Sequence, residues 1–432
     1  MCDNTVKVGE YIVIQKQNYK KLHKFNKPNS SVSVGKDTLN LNGIEGTKFF
    51  STFKMISRGK KRSKEFDLEL TAEAVNLIEE IGLKVSGADN RNIYDDGRSQ
   101  KLSASEISDL TYDSTKASDI VETLITNSNT FHNKTEFSQE KYLKKKEKKY
   151  FEYIQILRPN LRIITEILYR LDPSKVQGIR IDTLSQIITL SNISNEGNHL
   201  LYDSGSNGLL AAALLSAMGS EAKGKLVHMH PGNMSQKQAL LAMNFDSEQF
   251  NKCLSVNVYS ALRQVYQGCD THTQKETVLE SECNLKRKAT DEIEHEIKIP
   301  KLDDSQIPIK DHDTDESNVA KKKPKWHFDN IAASEVLKNK VDSLVIASKE
   351  DPQNIFLELL PFVKPGRQFV IYYTVAEPLQ NLYMILKSTS NVAALRLTCN
   401  WMRNYQILPE RTHPEVMMNG SSGFLLTGYV LK

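Results

Sequence analysis

The sequence predicts an α/β protein in which a doubly wound, Rossmann-like domain follows a small N-terminal β-barrel domain with helices. Three observations predict it. Short β runs punctuated by glycine fill the first ~55 residues. Helices and apolar strands alternate from residue 153 onward. Within that alternation, at Leu200 to Met218, an apolar strand runs through a small-residue turn into a helix.

In the N-terminal part, Tyr11 to Ile14 is a compact β run and Val32 to Val34 alternates. Gly9, Gly35, Gly43, Gly46 and Gly59 fall at intervals that suit turns, so a meandering barrel or sheet is expected. A basic cluster, Lys60 to Lys64, leads into a helical stretch near Glu69 to Ile81. Ser103 followed by Glu106 is a capping-box pattern that opens a helix. A second helix is expected from Ala117 to Thr126. Glu136 to Tyr153 reads as one long charged helix without Gly or Pro, ended before Arg158-Pro159. The expected domain boundary lies there, with residues 1–152 before it and 153–432 after it.

In the second domain, Ile179-Arg180-Ile181 and His199 to Tyr202 are strand candidates, and Val227 to His230 is the next strand. Ser235 to Met243 is the helix after it. From Gly268 to Lys325 the alternation stops. That stretch is rich in Glu, Asp, Lys, Thr and Ser and holds too few large apolar residues to fold alone. A disordered insert, bounded at 268–330, is expected to interrupt the domain without ending it. Beyond it come a buried strand at Val341 to Ala347, a helix at Asn354 to Phe362 and a strand at Phe369 to Tyr373. A helix at Pro378 to Ser388 and closing strands at Leu395 to Leu397 and Phe424 to Leu431 complete the domain.

Composition narrows the function classes. The chain of 432 residues is 39% hydrophobic and carries a net charge of only +4, so local basic runs matter more than the sum. Its five cysteines (Cys2, Cys253, Cys269, Cys283 and Cys399) form no CxxC pair, which fits free thiols in a reducing compartment. No apolar leader follows Met1 and no run of 18 apolar residues occurs, so a soluble intracellular protein is expected.

The turn after Tyr202 reads Asp203-Ser204-Gly205-Ser206-Asn207-Gly208-Leu209. An S-adenosylmethionine-dependent methyltransferase places its Glu/Asp-x-Gly-x-Gly-x-Gly loop here. Asp203 and Gly205 fit that pattern, but Asn207 and Leu209 stand where the second and third glycines belong. Those glycines let the backbone approach the ligand and the helix pack against its strand. Two absences point the same way. The next strand ends at His228-Met229-His230-Pro231-Gly232 without a carboxylate for ribose hydroxyls. The fourth strand runs into Ala347-Ser348-Lys349 without an Asp-x-Pro motif. A degenerate methyltransferase-type loop with no bound cofactor is expected, and no catalytic residue or metal ligand. His228 and His230 share a strand face. With no third ligand nearby they read as solvent-facing or hydrogen-bonded histidines rather than a zinc pair.

The strongest positive signal is basic. Lys141, Lys144, Lys145 and Lys148 fall on one helical face, with Lys146 and Lys149 beside them and Lys134 just before. Tyr142, Tyr150, Phe151 and Tyr153 interleave, and Glu140 and Glu147 dilute the field only in part. Such a face is either a solvated surface or a phosphate-backbone contact. Six lysines in nine residues exceed what solubility requires and favour the second. Near the C-terminus, Trp401 to Pro414 mixes aromatics with Arg403 and Arg411, which fits RNA stacking, a subunit contact or an ordered loop tucked under the last hairpin.

Several stretches carry a resemblance. They are Asp89-Asn90-Arg91-Asn92-Ile93 with Asp95-Asp96-Gly97 and Ser99-Gln100-Lys101-Leu102, then Lys134-Thr135-Glu136-Phe137-Ser138-Gln139-Glu140-Lys141-Tyr142. Asp182-Thr183-Leu184-Ser185-Gln186 and Trp401-Met402-Arg403-Asn404-Tyr405-Gln406 follow, with Leu408-Pro409-Glu410-Arg411 and His413-Pro414. In this order the chain resembles the non-catalytic subunit of the eukaryotic tRNA (adenine-N1-)-methyltransferase, the Trm6/Gcd10 family. The resemblance implies an N-terminal β-barrel and a C-terminal Rossmann-like methyltransferase domain. It implies a catalytic sister subunit of the same fold that holds S-adenosylmethionine and the catalytic acid, and a heterotetramer of the two. It implies N1-methylation of the T-loop adenosine at tRNA position 58, initiator tRNA included. The sister's acid would fall at Ala347 here. In that role Lys134, Lys141, Lys144, Lys145, Lys148 and Lys149 are expected to grip tRNA, with Arg403 and Arg411 at tRNA or the interface. The rivals are a methyltransferase active by itself and an RNA-binding module without a methyltransferase partner. Basic runs at 60–64, 286–288 and 321–325 read as nuclear import signals or as solvated linker charge, and a nuclear location is expected.

Overall fold

The computed structural model describes residues 4–58, 64–71, 87, 99–113, 117–150, 153–268, 324–408, 411–416, 418 and 420–432. The chain opens with six strands: β1 (Tyr11–Lys16), β2 (Tyr19–Lys24), β3 (Ser31–Val34), β4 (Asp37–Asn40), β5 (Thr52–Ser57) and β6 (Glu65–Thr71). Three helices follow, α1 (Ala104–Asp113), α2 (Ala117–Thr126) and α3 (Glu136–Tyr150), and then β7 (Tyr153–Leu157). The seven strands form one sheet in the order β2-β1-β7-β5-β6-β4-β3. It curls around Ile12, Ile14, Phe25, Val32, Val34, Leu39, Phe53, Ile154 and Ile156. Its end strands β2 and β3 are bridged by the Lys21 ammonium, which donates to Ser33 O, so the sheet is nearly closed.

Two expectations change here. Glu69 lies in β6, paired with Lys54, because Phe66, Leu68 and Leu70 alternate with acids at a period of two. The rest of the helix expected near Glu69 to Ile81 lies outside the described residues. The long charged helix stops at Tyr150, and Tyr153–Leu157 becomes a strand between β1 and β5 with Ile154 and Ile156 inside. β7 thus belongs to the first sheet although it lies beyond the expected division at 152/153. The capping box forms: Ser103 N donates to Glu106 Oε2 (2.7 Å) and Glu106 N to Ser103 Oγ (3.3 Å).

The second domain continues with α4 (Leu161–Leu171), α5 (Ile181–Ser191), β8 (His199–Asp203), α6 (Leu209–Met218), β9 (Leu226–His230), α7 (Gln238–Ala242), α8 (Ser247–Asn251), β10 (Cys253–Asn257) and α9 (Val258–Gln267). After the insert come α10 (Lys325–Lys338), β11 (Val341–Ala347), α11 (Pro352–Leu359), β12 (Val363–Tyr373), α12 (Glu377–Lys387), β13 (Val392–Trp401), β14 (Tyr405–Leu408), β15 (Arg411–Pro414) and β16 (Ser421–Val430). The sheet order is β10-β9-β8-β11-β12-β16-β13, parallel up to β12 and antiparallel beyond. Separate apolar cores on its two faces make it doubly wound. The strand order reverses at β8 and β11, where a ligand crevice belongs.

Ile179-Arg180-Ile181 is not a strand. Arg180 precedes α5 and Ile181 opens it, with Asp182 in the first helical turn. Three residues with one alternation are too short to separate strand from helix. The expected insert also ends earlier than 330, since α10 starts at Lys325 and buries His327, Asn330 and Ala333. Residues 269–323 lie outside the description.

The two domains are tied together. Val13, on the outer face of β1, packs with Leu157, Ile163 and Ile167. Asn244 Oδ1 accepts from Tyr11 N and its Nδ2 donates to Tyr11 O, both at 2.8 Å. Among the described residues no helix is long and apolar enough to cross a membrane.

Candidate functional site

The crevice at the reversal point is built by the loop after β8. Asp203 ends that strand fully enclosed, and its carboxylate serves the loop itself. Its Oδ1 accepts from Gly205 N (3.0 Å) and Ser206 N (2.8 Å), and its Oδ2 accepts from the Ser206 hydroxyl. Asn207 and Gly208 then both adopt the left-handed region, at φ 59° and 77°. A Cβ on Gly208 would stand 2.8 Å from Gln236 O, so this glycine, outside the three motif positions, is one the turn requires. The segment between β9 and α7 covers the loop. Asn207 N donates to Gln236 Oε1 (3.1 Å), its Nδ2 to Gln238 Oε1 (2.6 Å), and Ala239 N to Asn207 O (3.1 Å). That cover explains why α7 is shorter than expected. Leu209 opens α6 with its side chain fully buried, in the same apolar core as Ala347 and Val345.

Lys349, a residue the motif search passed over, closes the other side. Its N donates to Ser204 Oγ (2.7 Å). A Cβ on Gly205 would meet its Cε at 2.5 Å and its Nζ at 2.8 Å, so the ammonium lies in the space that glycine opens. Ala347 pairs with Asp203 across β11 and β8 and carries no acid. His228 and His230 point into the protein rather than to solvent, at 2% and 7% exposure. His228 Nε2 is 3.9 Å from Asp203 Oδ2, and His230 Nδ1 donates to Gly232 O (2.7 Å). Burial holds both imidazoles below their ordinary pKa against the pull of Asp203, and Lys237 adds to the depression. Among the described residues no group of three His, Cys, Asp or Glu side chains is placed to hold a metal.

These residues do not fit adenosylmethionine. The loop's N–H groups at Gly205, Ser206 and Asn207 are already used by the chain, and Lys349 stands over Gly205. The remaining cleft holds about 190 Å³, below the roughly 300–1,000 Å³ of a drug-sized ligand site.

The basic helix is α3. Gln139, Leu143 and Tyr150 turn inward against Phe131 and α2, and Lys141, Lys145 and Lys149 are exposed at four-residue spacing on the outer side. The side chains of Lys144 and Lys148 lie outside the described residues. Lysines gather on two tyrosine rings. Lys134 and Lys146 stand 5.6 and 5.1 Å from the Tyr142 centroid, and Lys149 and Lys146 stand 5.0 and 6.0 Å from that of Tyr150. Burial, then the charges of Lys149 and Lys145, push the Lys146 ammonium below its ordinary pKa. Lys146 belongs to this cluster although the residue reading left it beside the main face.

Arg403 is exposed in the connection between β13 and β14, and the Arg411 side chain lies outside the described residues. The stretch from Trp401 to Pro414 is not tucked under the last hairpin. β14 and β15 form a two-stranded sheet of their own, with Trp401, Tyr405, Ile407 and Val416 at 69%, 53%, 78% and 84% exposure around it. Its root is fixed by a polar cluster. Arg180 Nε and Nη2 each donate to Asp182 at 2.7 Å, and Nη2 also donates to Gly420 O at 3.1 Å. Thr183 Oγ1 donates to Ser422 O (2.9 Å) and accepts from Asn400 Nδ2 (2.9 Å). Burial opposes ionisation of Asp182, yet Arg180 holds its carboxyl below the ordinary value. The Asp182 stretch and the Trp401 stretch, joined by Asn400 and Thr183 at a separation of 217 residues, therefore meet. Arg180→Met is expected to lower stability by about 2–3 kcal/mol because it strands Asp182. A urea titration with an unchanged midpoint would show that the cluster does not hold the root.

A sequence model of the Gcd10p family matches residues 5–296. The chain is 31% identical over 455 aligned positions to the tRNA (adenine(58)-N(1))-methyltransferase non-catalytic subunit TRM6 of Mus musculus, covering 99% of this chain and 89% of that one. It is 29% identical to the protein of the same description from Dictyostelium discoideum, covering 98% and 79%. Among solved structures, the tRNA (m1A58) methyltransferase TrmI from Aquifex aeolicus is similar at a TM-score of 0.43 and 14% identity, covering 99% of this chain and 100% of that one. By the match over residues 5–296 and by the identity along nearly its whole length, this chain belongs to the Gcd10p family, whose curated relatives are named as non-catalytic subunits.

Proposed function

We propose that this chain is the tRNA-binding, non-catalytic subunit of a tRNA (adenine-N1-)-methyltransferase. In this reading the enzyme makes N1-methyladenosine at position 58 of the T-loop, initiator tRNA included. Methyl transfer takes place on a catalytic partner of the same fold that holds S-adenosylmethionine, in a nuclear heterotetramer. The observation that carries the reading is the loop after β8, whose donors serve Asp203 and Gln236 while Lys349 lies over Gly205. A chain so arranged keeps the sheet and its shape without a cofactor. The lysines on α3 supply the electrostatic grip on phosphate, and the tyrosine rings under them limit the freedom that binding would otherwise have to remove. The hairpin β14–β15 faces the partner. A two-stranded hairpin is marginal by itself in water, and this one is surrounded by exposed aromatic and aliphatic groups.

The test is the number of adenosylmethionine sites in the complex isolated with its partner, by calorimetry. One site per pair, lost when the partner's glycine loop is altered and kept in Gly205→Val of this chain, is the expected result. A second site, lost in Gly205→Val, would revive the reading of a methyltransferase active by itself.

A further inference from the structure

The short helix α7 touches both domains. No side chain caps its start, and Asn207 O in the loop after β8 accepts from Ala239 N (3.1 Å), one of the N–H groups a helix start leaves free. The Asn207 amide adds a bond from Nδ2 to Gln238 Oε1 (2.6 Å), which glycine could not make. The residue that replaces the second glycine of the cofactor motif therefore holds α7. Ala239, Leu240 and Ala242 are buried and seat the helix in the core. Just past its end, Asn244 adopts the left-handed region at φ 51°, which asparagine tolerates better than most residues. Its amide accepts from Tyr11 N and donates to Tyr11 O, at 2.8 Å each. Tyr11 needs that donor. Val13, Ile14 and Gln15 pair with Leu157, Ile156 and Gln155 of β7, and the same register sets Pro159, which has no N–H, opposite Tyr11. An aspartate could not donate there.

A second polar tie between the domains lies at the tip of the β1–β2 hairpin. Arg170 of α4 donates to Asn18 O and Lys20 O and stands 4.7 Å from the Tyr19 centroid. That tip is about 20 Å from Tyr11 along the strand. Between the two ties, Val13, Leu157, Ile163 and Ile167 make apolar contact, which is not directional. Two polar ties fix the angle of a strand, whereas one leaves it a pivot. β1 pairs with β7, and β7 follows α3 in the chain, so the angle of β1 sets where α3 lies.

We propose that Asn244 is a positioning residue for RNA binding. Held by Asn207 through α7, it fixes the barrel, and α3 with it, at one angle to the second sheet. The loop that holds a cofactor in a methyltransferase serves here as a strut between the domains. The link to RNA rests on the reading of α3 as the tRNA contact, whereas the strut itself does not.

The test uses the full chain assembled with its partner and compares wild type with Asn244→Gly, Asn207→Gly and the double variant. Glycine keeps the left-handed backbone at both positions and removes only the side-chain bonds. Spin labels carried by unnatural amino acids at the exposed Lys36 of the barrel and Lys338 of α10 report the angle between the domains as a distance distribution. Wild type is expected to give a narrow distribution, Asn244→Gly a broad one and Asn207→Gly an intermediate one. The double variant is expected to be no broader than Asn244→Gly, because both changes cut one strut. Binding of tRNA to Asn244→Gly is expected to weaken roughly tenfold. Its salt slope is expected to stay at the wild-type value, since bound tRNA meets the same lysines. Loss of packing alone would not broaden the distribution and leave that slope in place. An unchanged distribution in Asn244→Gly would overturn the strut and leave the tRNA reading standing. A double variant broader than either single change would remove the loop after β8 from it. A broadened distribution with unchanged tRNA affinity would overturn the link to RNA and count against the grip assigned to α3.

Discussion

Replacing Lys141, Lys145 and Lys149 together by alanine is expected to weaken tRNA binding by the assembled complex by about two orders of magnitude at low salt. These are the helix lysines that the structure places exposed at four-residue spacing. Each phosphate contact releases a bound counterion, so losing three is expected to flatten the plot of log affinity against log salt by about 2–3 units of slope. Leu143 and Tyr150 hold the helix from its other side, so stability is expected to stay near wild type. A charge-preserving triple change to arginine is expected to keep both affinity and slope. Filter binding across a salt series decides the matter. An unchanged slope in the alanine triple would show that α3 is a solvated surface and that tRNA is gripped elsewhere.

The second large effect is expected at the hairpin. Ile407→Asp combined with Tyr405→Asp should release the catalytic partner, because exposed aromatic and aliphatic anchors at the centre of an interface cost about 2–4 kcal/mol each when lost. That corresponds to roughly 30- to 1,000-fold per residue in affinity. Both side chains project from a hairpin whose root is held separately by Arg180, Asp182, Thr183 and Ser422, so the sheet behind it is expected to survive. Affinity chromatography through a tag on this chain reads the result. Full partner recovery with reduced tRNA binding would mean that the hairpin stacks on RNA.

Much of the secondary structure in both domains was legible in the sequence because local residues suffice for it. Ala117–Thr126 and Val341–Ala347 occupy the predicted positions, and Ser103 and Glu106 form their reciprocal cap. These are short-range effects of periodicity and of side chains three residues apart. The strand Tyr153–Leu157 was missed, and its first residue was read as the end of the charged helix, because five residues between that helix and Pro159 show too little alternation to declare a strand until a sheet claims them. Helix Lys325–Lys338 was hidden because its buried face includes His327, Asn330 and Ser334, which composition counts as polar. The N-terminal barrel was foreseen as a class. Its near closure depends on β7, which joins the sheet from more than 80 residues beyond β6.

The sequence by itself determined which residues stand in the loop and on the helix. Asn207 and Leu209 at glycine positions, Ala347 in place of an acid and six lysines in nine residues are facts of the chain that folding does not alter. What lies across from those residues was decided only by the tertiary structure. Lys349 reaches Gly205 from 144 residues away, Gln236 takes the Asn207 N–H, and His228 stands near Asp203 with its Nδ1 unmatched. Arg180 and Asp182 anchor the turn at Gly420, and Asn244 ties the second domain to Tyr11. The physical reason is range. Helix periodicity and caps act over three or four residues and are written in the local sequence. A contact across a sheet is set by strand order and register, which the chain acquires only when distant apolar faces are buried together.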